Sequence, residues 1–231
     1  MSILIALIGL LTGLLLNTII HKILIRLGLK ITSSFSRRPC HGERAVSEII
    51  EEVILVRFLK ISENNRRVGI FPAIICGLCF LFFHMKFGLS LMFFKTVILS
   101  SLLIIISFVD LKVRIIPNYM VIITLASGVI LSCLTGASLA DIILGMVTGG
   151  TILFLLSLVP NALGGGDVKL MFALGAFLGF SKTLWAIVLA FALSSVVILI
   201  LLIMKAVGRR GHIPFGPFLA LGSFISLMIF N

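Results

Sequence analysis

The chain reads as long apolar runs broken by short polar turns, with one extended polar interruption close to the N-terminus. The runs are continuous and show no period-two alternation, so they predict helices rather than barrel strands. Charges, prolines and glycines cut them into about eight spans, near 2–21, 68–85, 89–109, 117–135, 139–160, 168–181, 183–204 and 213–230. The expectation is an all-α polytopic membrane protein of about eight transmembrane helices. Its organisation would be a first span (1–21), a basic segment (22–67) and a seven-span core (68–231). The stretch from Met1 to Asn17 has no basic residue ahead of its apolar run, and Lys22, Arg26 and Lys30 follow it. It is therefore expected to be an uncleaved span with its N-terminus outside.

Composition changes the picture only by closing alternatives. Hydrophobic residues make up 60% of the 231 positions and charged residues 12%, with a mean hydropathy of +1.30. No soluble domain of this length could bury so much apolar surface. The net charge of +11 is unevenly placed. If 22–67 is cytoplasmic, it carries ten of the nineteen Lys and Arg residues, and Lys112, Arg114, Lys169, Lys205, Arg209 and Arg210 join it. The far side keeps Lys86 and Lys182, with Lys95 inside the third span. That split predicts a cytoplasmic-membrane protein with both termini outside. Positive charge gathered on one face meets anionic lipid, and no nucleic-acid partner is needed to account for it.

Acidic residues are scarce and informative. Five glutamates (Glu43, Glu48, Glu51, Glu52, Glu63) fall within 22–67, which leaves Asp110, Asp141 and Asp167 for the rest of the chain. The topology puts Asp110 and Asp167 at the cytoplasmic face and Asp141 near the outer one. An ionisable group at or inside a bilayer costs a few kcal/mol, so its default reading is functional. Two carboxylates able to face each other suggest a dyad sharing one proton. Each has a plainer explanation as well. Asp167, following Gly164, Gly165 and Gly166, could simply cap a helix N-terminus. Asp110, at the C-terminal end of its span where capping is a poor reason, could pair with Lys112 or Arg114. Pro117, without an N–H, fits the first turn of the next helix.

In their order along the chain these motifs resemble the type IV prepilin peptidases, membrane aspartic proteases of the GxGD class. The residues that carry the resemblance are Asp110 ahead of Ile116-Pro117, the run Gly164-Gly165-Gly166-Asp167-Val168-Lys169-Leu170, Ile213-Pro214-Phe215-Gly216-Pro217-Phe218, and Gly13 to Asn17 in the first span. The resemblance implies an eight-span fold and an aspartic endopeptidase with Asp110 and Asp167 as catalytic residues. Gly164, Gly166, Lys169, Pro117, Pro214 and Gly216 would support them. The implied substrate is a prepilin or pseudopilin whose basic leader stays cytoplasmic ahead of an apolar helix. Such a protein would serve a type IV pilus or type II secretion system.

The chain departs from that family's pattern in 22–67. Members commonly carry two CxxC pairs there that bind zinc, in a region linked to N-methylation of the new pilin N-terminus. Here that segment has only Cys40, beside His41. A closed zinc site needs four ligands, and Cys40 with His21 and His41 falls short. Cys76 and Cys79 have CxxC spacing but sit in an apolar span, so they and Cys133 are expected to pack in the core. The family's acidic residue after a Tyr-Pro pair is missing too, since Phe71-Pro72 is followed by Ala73, Ile74 and Ile75. The expectation is a peptidase without methyltransferase activity, metal or cofactor. An ion-coupled transporter with acids near the midplane, or a non-catalytic assembly protein, are the other classes the sequence leaves open.

Overall fold

The structure is a computed structural model, and it describes residues 7–20, 22–23, 70–159, 163–204 and 214–230. Every regular element among the described residues is a helix. They run in order as α1 (Leu7–Ile20), α2 (Ile70–Phe87), α3 (Leu91–Val113), α4 (Asn118–Leu134), α5 (Leu139–Ser157), α6 (Gly165–Leu178), α7 (Phe180–Ile203) and α8 (Gly216–Ile229). Among the described residues three segments are long and apolar enough to cross a membrane: Leu91–Val113, Leu139–Ser157 and Phe180–Leu201. Leu7–Ile20, Ile74–Phe87, Asn118–Leu134 and Gly216–Ile229 are shorter apolar helices. Large apolar side chains such as Leu199, Ile203, Ile122 and Leu139 are more than half exposed. A soluble protein could not carry such a surface, whereas a helical membrane protein presents it to lipid.

The chain forms two compact units, Met1–Leu81 and Phe82–Asn231. In the first, α1 lies against the start of α2. Thr12 Oγ1 stands 3.7 Å from Cys76 Sγ, and Cys76 is fully buried, as a packing residue would be. In the second, the closest-packed pairs are α5 with α6 and α7 with α8. A Cβ on Gly175 of α6 would meet the backbone of Gly145 on α5, so these two glycines let the helix axes approach. Although it has only fourteen residues, α6 is the centre of the unit. Leu170, Met171, Ala173, Leu174 and Ala176 are wholly buried.

The breaks between helices follow local chemistry. Ser90 caps α3, accepting from the Phe93 N–H. Gly179, at φ 76°, separates α6 from α7, two residues before Ser181, where the sequence had suggested the boundary. The third span does not end at Asp110, as expected. Leu111 and Val113 offer nothing that breaks a helix, and α3 continues to Val113. It closes at Arg114, which adopts a left-handed φ of 54° and donates its N–H to the Asp110 carbonyl. Two residues later comes Ile116, disfavoured in a helix by Pro117. Pro117 itself stands just outside α4 as its N-cap (φ −66°, ψ 135°), one position earlier than predicted.

Cys133 is exposed, not buried in the core. Apolar context cannot separate core from lipid-facing positions in a membrane helix, because both are apolar. Segment 24–69, with Cys40, His41 and the five glutamates, lies outside the described residues. So do His21 and segment 205–213, with Lys205, Arg209, Arg210, His212 and Ile213.

Candidate active site

Asp110 and Asp167 are among the few charged side chains buried in the larger unit, at 5% and 8% exposure. Asp110 sits three residues before the end of α3. Its carboxylate accepts a hydrogen bond of 2.9 Å from the backbone N–H of Gly216, the first residue of α8. The aspartate that could not usefully cap its own helix therefore caps another one. The first N–H groups of a helix have no partner within it, and its dipole favours negative charge there. Gly216 is fitted to this contact: a Cβ at that position would lie 2.5 Å from Asp110 Oδ2.

Asp167 occupies the third position of α6, after the N-cap Gly164 and the two glycines that open the helix. The Gly164 backbone lies close enough to act on its carboxylate electrostatically. Its own N–H bonds the Gly164 carbonyl at 3.1 Å. A Cβ on Gly164 would sit 3.3 Å from Asp167 Oδ2, a tight fit. On Gly166 it would make ordinary contact with Ile116, at 3.4 Å. The buried Ile116-Pro117 turn thus packs directly on the glycine run.

The two aspartates interact electrostatically. Asp167 stands ahead of the apolar run that begins at Val168. Asp167 is buried, and the Asp110 carboxylate lies within electrostatic reach of it. Two helix N-termini, those of α6 and α8, thus bring positive dipole ends to one pair of carboxyl groups. Such a pair can hold one proton between two like charges and can polarise a small polar group set between them.

The other expected residues take lesser parts. The Lys169 ammonium is exposed and donates to Asn118 Oδ1 at 3.2 Å, tying the first turn of α6 to the start of α4. Pro214 lies two residues before α8, next to Phe215, whose ring is 5.0 Å from that of Phe191. Arg114 lies within electrostatic reach of the Asp110 carboxylate, so the plain pairing with that residue stands beside the Gly216 contact. Asn118 was not singled out from the sequence, although its place directly after Pro117, at a helix start, was the available signal. Asp141 is set apart. It lies against Gly179 at the far end of α6 from Asp167, about 20 Å away for fourteen residues.

Comparison with known proteins points one way. Residues 97–203 match the model of the type IV leader peptidase family. A prepilin leader peptidase/N-methyltransferase of Neisseria gonorrhoeae is 28% identical over 95% of this chain and 87% of its own length. One from Bacillus subtilis is 25% identical over 94% of this chain and 91% of its own. One from Aeromonas hydrophila is 29% identical over 57% of this chain, and the match spans about half (48%) of that relative. No solved structure matches. Both Asp110 and Asp167 fall inside the matched region, and that region belongs to the type IV leader peptidase family.

Proposed function

We propose that this protein is a membrane aspartic endopeptidase that removes the leader peptide of type IV prepilins or pseudopilins at the cytoplasmic face of the membrane. The observation that carries the reading is the pair of buried carboxyl groups within electrostatic reach of each other, Asp110 held by the Gly216 N–H that opens α8 and Asp167 in the first turn of α6. In the proposed reaction one ionised aspartate takes a proton from water as its oxygen attacks the scissile carbonyl carbon. The other, protonated, donates to the carbonyl oxygen. Collapse of the tetrahedral intermediate breaks the C–N bond, and the proton taken from water passes to the leaving amine. Either aspartate can fill either role.

The eight helices would each cross the membrane, with both termini outside and the dyad at the cytoplasmic border. That is where a basic leader waiting ahead of an apolar helix would meet it. Methyl transfer to the new N-terminus is assigned to the relatives by name. In this chain, 22–67 has one cysteine where the resemblance calls for four, and we expect cleavage alone, with no metal or cofactor.

The test is an intact-mass measurement on a prepilin incubated with the purified protein in lipid, with and without a methyl donor. Loss of the leader with wild type, and none with Asp110→Ala or Asp167→Ala, is the expected result. Full cleavage by either variant removes the dyad. A product heavier by one methyl group removes the claim that cleavage stands alone.

A further inference from the structure

Beside the dyad lies a feature the peptidase reading does not use. Helices α4 and α5 both pack along α6 but scarcely touch each other, which leaves a cleft of about 470 Å3 between them. Val121 of α4 lines one wall, Val147 and Gly150 of α5 the other, and Val168 and Phe172 of α6 the floor. Lys169 is its charged lining residue. Its volume lies within the range of ligand sites, and it is almost entirely apolar.

The floor begins at the residue after Asp167. At 3.6 residues per turn, Val168 is turned about 100° round α6 from that aspartate. A chain lying in the cleft would therefore have to cross the N-terminal end of α6 to bring a peptide bond to the carboxylates. That end is bare. Gly164 and Gly165 are exposed, and a Cβ on Gly165 would meet nothing within 4 Å among the described residues. Packing among those residues does not require that lack of a side chain, and Gly165 has no positive φ that would demand it. An extended backbone could pass over it and find the unpaired N–H groups of a helix start.

We infer that the cleft between α4 and α5 holds the apolar helix that follows the scissile bond in the substrate, with the connecting residues laid across Gly165 to the dyad. This inference rests on the peptidase reading and deepens it: the leader is presented at the α6 N-terminus while the apolar segment is held one helix face away. Continuity with the aspartates favours substrate over a bound lipid, since lipid would gain nothing from the bare glycine crossing.

The test uses two substrates, a full prepilin and a short soluble peptide spanning the scissile bond without the apolar helix. Val147, on the exposed wall of the cleft, is replaced by Trp, and Ile122, which is 63% exposed on α4, is replaced by Trp as the control for bulk. Val147→Trp should raise KM for the prepilin about tenfold, the scale of a steric mismatch in an apolar pocket, and leave peptide cleavage unchanged. Ile122→Trp should change neither. A photo-crosslinking residue at 147 should capture the prepilin, and prepilin added before irradiation should suppress its lipid adducts. Equal loss on both substrates, no loss on either, or lipid adducts that prepilin does not displace would each overturn the cleft assignment while leaving the peptidase reading intact. If wild type cuts neither substrate, the peptidase reading itself falls and takes the cleft with it.

Discussion

The two ends of the larger unit solve the same problem with the same residue type and differ in what surrounds it. At one end Asp110 receives the N–H of Gly216, the first residue of α8. At the other Asp141 receives the N–H of Phe180, the first residue of α7, at 2.9 Å. A glycine lies against each carboxylate, Gly216 in one case and Gly179 in the other. Yet Asp141 is exposed and lies within the field of Lys95 and Lys182. Asp110 is buried and lies within electrostatic reach of a second carboxylate as well as of Arg114. Capping a helix explains the first arrangement completely. It cannot explain why a buried cap should be set beside a like charge, which raises the free energy of the ionised pair. The excess at the Asp110 end is what an acid–base function would require.

The sharpest way to break the comparison is to make one change at both ends. Asparagine keeps an oxygen able to accept the helix N–H but cannot move a proton at these sites. Asp110→Asn should lower kcat/KM on a prepilin by about 10^3-fold or more while the protein stays folded. Asp141→Asn should keep at least half of the activity. If the two variants lost activity equally, both aspartates would be structural caps and the ends would be alike.

Next in size are the glycines. Gly216→Ala pushes a methyl against the Asp110 carboxylate, and an acid displaced by a fraction of an ångström to an ångström should lose about 10–100-fold in kcat. Gly179→Ala combines a crowded carboxylate with an unfavourable φ of 76°. It should lower stability by about 1–3 kcal/mol and leave cleavage within about threefold. Thermal unfolding in detergent together with initial rates would separate the two effects. An activity loss from Gly179→Ala without loss of stability would join the far end to the chemistry.

How far the sequence could be read follows from which interactions are local. Gly164-Gly165-Gly166-Asp167 declares a helix start within four residues, and the structure has one. Both aspartates could be picked out because acids are so rare in the last two-thirds of the chain. What could not be read was the partner of Asp110. Gly216 is 106 residues away, and nothing near Asp110 in the sequence signals an N–H donor at that distance. The overrun of α3 past Asp110 has the same origin, since an acid satisfied by another helix has no reason to end its own. Cys133 was misplaced for a different reason: hydropathy is blind to which side of a membrane helix meets lipid.

The smallest expected effect concerns the cations. At the Asp141 end Lys95 is 6% exposed, and its place beside that acid makes it part of a balanced cap. At the dyad end Lys169 is exposed and its ammonium goes to Asn118, while Asp110 is held by the Gly216 N–H. Lys169→Gln can still reach the Asn118 amide after losing its charge, and it should keep cleavage within about threefold, since an exposed polar contact is worth about 1 kcal/mol or less. Lys95→Met should leave cleavage unchanged, because Asp141 is exposed and retains Lys182 and the Phe180 N–H. A loss from Lys169→Gln approaching that of Asp110→Asn would make the lysine a third member of the dyad end. The two ends would then differ in how closely a cation is held, not in whether one is needed.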